Sequence, residues 1–218
     1  MRDLAEPRVL KAAASAAFVC ALASYPRLAL WPNRLYPLWY LEALLLLGGT
    51  ILWGFVFAWH TKYTGRPVFM LKVPRFPLLL ATFSGIGAAV LLHFLVDPSL
   101  RIRNSDEYPT NVRQWIAMTL FSLGFTQLFL VFAAFAWLIR LVRKLEVAAI
   151  MTALFGLFVL WFKNHSSKTP LPPTLLMAVL AVRLVVGLLS VYFLLRGGVL
   201  LVWWWSLLVQ MRHLFDLL

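Results

Sequence analysis

The 218-residue chain is 62% hydrophobic and only 13% charged, with a mean hydropathy of +0.85; about a quarter of a soluble domain is charged, so a water-soluble globule is excluded. Twenty Lys and Arg against eight Asp and Glu give a net charge of +12, yet these cations fall between apolar runs, where they meet lipid head groups. Nucleic-acid binding needs a contiguous basic face on a soluble fold and is excluded with it.

A membrane-crossing helix needs about 20 apolar residues, and the expected fold is an all-α polytopic transmembrane bundle of about seven spans in a single domain. The spans are 9–25, 37–59, 76–96, 115–139, 146–162, 174–195 and 199–216. In the first, Ala21-Leu22-Ala23 also fits a signal-peptidase site, but Asp3 and Glu6 in the leader favour a retained span. This span holds Cys20, the only cysteine, which excludes an intrachain disulfide.

The second span carries Glu42 near its start and the third carries His93 near its end. The polar connection 97–114 is long enough to be a lid, although an ordinary solvated loop also fits. On the fourth span Thr119, Ser122 and Thr126 form a polar stripe, with Gln127 beside it. The tight Arg140–Lys144 turn follows. A proline-stiffened link, 166–173, separates the fifth and sixth spans, since proline cannot continue a helix.

The sixth and seventh spans meet at Gly197-Gly198 and are expected to form an antiparallel hairpin. Arg183 lies 14 residues before that turn and His213 lies 15 after it, which sets both at about 21–23 Å from it at helical rise. Asp216 is one turn further on and within reach of Arg183. Alternating direction puts Glu42 and His93 in the same half of the membrane. On the sixth span Arg183, Gly187 and Ser190 share a face; on the seventh Ser206, Gln210 and His213 do. Of the adjacent Trp203, Trp204 and Trp205, at least one is expected to meet lipid.

Intramembrane ionisable groups are costly and mark function by default, against the alternative that they only join helices. The candidate polar cleft is therefore Glu42, His93, Thr126, Gln127, Arg183, Ser206, Gln210, His213 and Asp216. His93, His213, Glu42 and Asp216 could chemically hold a divalent cation, but none are at paired-ligand helical spacing, and no metal is expected. No glycine-rich phosphate loop or dinucleotide fingerprint occurs, so no cofactor is expected.

With the N-terminus inside, the cytoplasmic segments hold eleven Lys and Arg and the outer ones eight. That bias, with the short basic turn at 140–144, favours a cytoplasmic N-terminus in a cell (inner) membrane.

From about residue 115 to 211 the order of features resembles the CPBP family of CAAX-processing and bacteriocin-processing intramembrane endopeptidases. "TQLFLVF" stands where that family has Glu-Glu-x-x-x-Arg, "FGLFV" where it has Phe-x-x-x-His, and "SLLVQ" where it has His-x-x-x-Asn or Asp. The resemblance implies a membrane scaffold whose glutamate would activate water. Here Thr126 and Gln127 replace the glutamates, Val131 the arginine, Val159 the first histidine, and Ser206 and Gln210 the last pair. Only Phe155, Gly187 and Gly198 match, so no catalytic residue carries over. Gln127 reads as an isostere of glutamate that hydrogen-bonds but takes no proton near neutral pH.

The expected function is binding or scaffolding in the membrane, with the bilayer and another membrane protein, a peptide or a lipid-like molecule as partners. The alternatives are an active hydrolase built on Glu42, Asp216, His93 and His213, or a small transporter.

Overall fold

The computed structural model describes residues 2–31, 35–103, 108–167, 170–215 and 217. Among them, six helical runs are long and apolar enough to cross a membrane: α1 (Pro7–Ala29), α2 (Leu38–Thr64), α3 (Arg75–Arg103), α4 (Val112–Val142), α5 (Leu145–His165) and α6 (Pro173–Leu214). Seven stretches were expected. The count differs because 174–195 and 199–216 run together without a gap, interrupted only at Gly198, whose φ of 69° and ψ of −167° are not helical.

Gly198 turns the chain back on itself. Phe193 and Trp205 are 12 residues apart, about 18 Å along a straight helix, yet their ring centroids are 5.7 Å apart. The turn is held from outside by the segment after α2. The Val199 amide donates to the Val68 carbonyl at 2.9 Å, and the Arg66 guanidinium donates to the Leu195 carbonyl.

The helix ends have local causes. Gly65, at φ 69°, terminates the α-helical ladder of α2, its amide donating to the Thr61 carbonyl. Asn111 caps α4 by accepting from the Gln114 amide at 2.9 Å, while Gln114 Oε1 accepts from the Thr110 amide at 2.8 Å. Prolines open α1 and α6 at their first turns, where the missing amide is harmless.

The connection 97–114 is shorter than expected. α3 runs on through Asp97-Pro98 to Arg103, with a π-helical turn over Leu92–Val96 ahead of the proline in which the Asp97 amide donates to the Leu92 carbonyl. Further π turns occur at Val56–His60 in α2 and at Ser122–Thr126 and Leu128–Ala133 in α4.

α4 is the central helix. Half of its apolar stretch is buried, against 22–28% in the other five. Leu128, Phe132 and Phe135 pack there with Trp53, Phe193 and Trp205. Small residues let neighbours close in: an added Cβ at Gly187 would lie 3.1 Å from the Ala153 Cα, so α5 and the first arm of α6 touch at backbone distance. Outward faces stay apolar, as Phe83, Phe94 and Trp39 show, which suits a lipid surface and not water. Of the three indoles, Trp205 is buried and Trp204 is exposed.

Candidate functional site

At the end of the molecule away from Gly198, α3, α4, α5 and both arms of α6 enclose a cavity of about 470 Å³. Six of the nine residues expected in a polar cleft line it: Thr126, Gln127, Arg183, Ser206, Gln210 and His213. Arg183 and His213, set at one height by their distances from the turn, meet in this space.

Two amide–hydroxyl pairs tie α4 to the second arm of α6. Gln127 Nε2 donates to Ser206 Oγ at 3.1 Å, and Gln210 Nε2 donates to Ser122 Oγ at 3.3 Å. Ser206 and Gln210 are four residues apart, one face of an α-helix. Ser122 and Gln127 are five apart, which in an α-helix puts them well round the cylinder from one another. The π turn Ser122–Thr126, closed by i→i+5 bonds, returns them to one side. Gln127 Oε1 is buried with no partner among the described residues.

Arg183 comes from the first arm of α6 and lies against α5, where a Cβ on Gly156 would be 3.5 Å from its Nε. No hydrogen bond or ion pair reaches it among the described residues. The expected partner, Asp216, lies outside them.

Three of the nine residues are not found in this lining. Asp216 is not described. Glu42 lines neither this cavity nor its neighbour; its Oε1 is buried on α2 without a partner among the described residues. His93 sits at the right end of the molecule, its ring 5.7 Å from that of Phe215, but the π turn that begins at Leu92 aims Leu92 and Val96 into the cavity instead. Among the described residues no three His, Cys, Asp or Glu side chains form a metal-holding group.

The mouth holds a network that the sequence did not reveal. Asp97 accepts from Arg212 Nε and from the Tyr108 hydroxyl, both at 2.9 Å. Tyr108 stands edge-on to His213 at 5.3 Å, with Arg101 5.2 Å from its ring centroid. Burial first, then the Asp97 charge and the hydrogen bond to it, push the Tyr108 phenol above its ordinary value. Asp97 and Arg212 are 115 residues apart, and only the Asp-Pro step marked 97 as special. Lys163 completes the mouth.

A second cavity of about 520 Å³ adjoins the first and shares Ser122, Thr126, Lys163, Gln210, Arg212 and His213 with it. Chemically, the main cavity has one cation, Arg183, that no described residue pairs, further cations at its mouth, a hydrogen-bonding amide wall, and an apolar side formed by Val179, Val182 and Val186.

Six apolar helices packed around polar side chains are compatible with an integral membrane protein. No family model, curated protein or solved structure matches the chain.

Proposed function

We propose that this chain is a seven-span membrane protein of the CPBP type that lacks the hydrolytic residues and binds an amphiphile with an anionic end in its main cavity. The sixth and seventh crossings are the two arms of α6, and the N-terminus faces the cytoplasm. One observation carries the family reading: Thr126, Gln127, Val159, Ser206 and Gln210, the positions of three separate family motifs, all line this one cavity. None of the five side chains can activate water as a carboxylate would.

Arg183 supports the binding reading. A cation held inside a span is costly unless a water-filled space or an anion meets it, and the valine wall beside it accepts hydrocarbon. The volume falls within the range of about 300–1,000 Å³ usual for small-molecule sites. The rearranged hydrolase loses support because Glu42 and His93 do not line the space. Phe193, Leu201 and Trp205, fully buried in the arms of α6 on either side of Gly198, weigh against a transport path.

The test uses the purified protein with radiolabelled palmitate as probe. Saturable binding is expected, weakened roughly 10- to 100-fold by Arg183→Gln through loss of a charge-assisted hydrogen bond, and abolished by Val182→Trp, which fills the cavity. Binding indifferent to both changes, or cleavage of a helical membrane peptide by the wild type, would refute the reading.

A further inference from the structure

The second cavity differs in character from the first. Arg27, Lys163 and Arg212 line it, and no Asp or Glu does among the described residues. Asp97, which offsets Arg212 in the main cavity, is not part of this wall. Arg27 is half-buried, and no hydrogen bond or ion pair reaches it among the described residues.

Its height in the membrane follows from helix ends. Arg27 is two residues from the end of α1, Lys163 two from the end of α5, and Arg212 two from the end of the α6 run; Trp115 is three residues into α4. Four separate helices thus bring their ends to one level. Trp31 and Trp115 stand at the rim, and the Trp115 ring is fixed by its Nε1, which donates to the Gln210 carbonyl at 2.9 Å. Indoles of this kind settle at the boundary between head groups and acyl chains. Arg183, which lines the main cavity, is not part of this wall.

Cations from three helices at head-group depth, with no acid among the described lining residues and two indoles at the edge, match one chemistry. Basic pockets between membrane helices hold the phosphates of anionic lipids. We propose that this second cavity is a binding site for the phosphate head group of an anionic phospholipid from the surrounding bilayer, with Arg27 as its principal contact. Lys163 and Arg212, shared with the main cavity, also line it, Arg212 already paired with Asp97. The acyl chains would leave past Trp31 into the bilayer. This site is distinct from the amphiphile site proposed for the main cavity, although the two share Lys163 and Arg212.

The full chain would be reconstituted in phosphatidylcholine nanodiscs containing a minor fraction of phosphatidylglycerol, released into neutral detergent, and its retained lipids weighed by native mass spectrometry. Enrichment of phosphatidylglycerol over phosphatidylcholine is expected. Arg27→Gln should cut that enrichment about five-fold, the effect of one basic residue at a lipid surface, and Arg27→Lys should restore most of it. Arg183→Gln should leave it unchanged, which separates this site from the main cavity, whose own probe is palmitate. Absence of enrichment in the wild type overturns the proposal whatever the variants do. So does enrichment in a folded Arg27→Gln protein equal to the wild type's, or displacement of the lipid by inorganic phosphate alone.

Discussion

Replacing Gly198 by alanine should unfold the hairpin on which both cavities depend. Its φ of 69° and ψ of −167° lie in a region that residues with a Cβ enter only at a cost of about 1–3 kcal/mol. A Cβ there would also sit 2.5 Å from the Val68 carbonyl oxygen and 3.1 Å from the Met70 amide nitrogen. Both are backbone atoms and cannot swing aside, so the 66–70 segment must retreat. Its bond from the Val199 amide to the Val68 carbonyl then breaks, at about 0.5–1.5 kcal/mol. The loss should total about 2–4 kcal/mol. Gly87→Ala is the internal control: it lies in a regular helix with nothing within 4 Å of a Cβ, and should gain about 0.5–1 kcal/mol. Both would be read by SDS titration of the purified protein in mixed micelles, followed by circular dichroism. A Gly198→Ala protein within about 0.5 kcal/mol of wild type, or two alanine variants shifted alike, would show that this turn does not hold the arms together.

The network at the mouth makes two further predictions. Asp97→Ala leaves the part-buried Arg212 guanidinium without its carboxylate and should cost about 3–5 kcal/mol, whereas Tyr108→Phe removes one hydrogen bond to a charged group and should cost about 1.5–3 kcal/mol; the same titration would expose an error if the tyrosine change proved the worse. The pH dependence follows from the raised Tyr108 phenol. Its folded value exceeds the unfolded one, so its contribution is complete below the ordinary value of 10.0 and is lost as pH rises beyond it. Wild-type stability should therefore fall above pH 10 more steeply than that of Tyr108→Phe, and parallel curves would exclude the coupling.

Composition and periodicity determined the class of this protein, because a helix that crosses lipid must be apolar along about 20 residues and that requirement is written locally. The place of the turn at Gly197-Gly198 was legible for a similar reason, and with it the common height of Arg183 and His213, since helical rise converts residue number directly into depth. Facing was not. Ser122 and Gln127 share a side only because a π turn lies between them, and the turn over Leu92–Val96 keeps His93 out of the cavity. Such a turn adds one residue to a helix without any signature in residue type. The Asp97–Arg212–Tyr108 network likewise joins residues that no spacing connects. Height along a helix is a sum over its own sequence, whereas the direction in which a side chain points, and what it meets there, is decided by how neighbouring helices wind and pack.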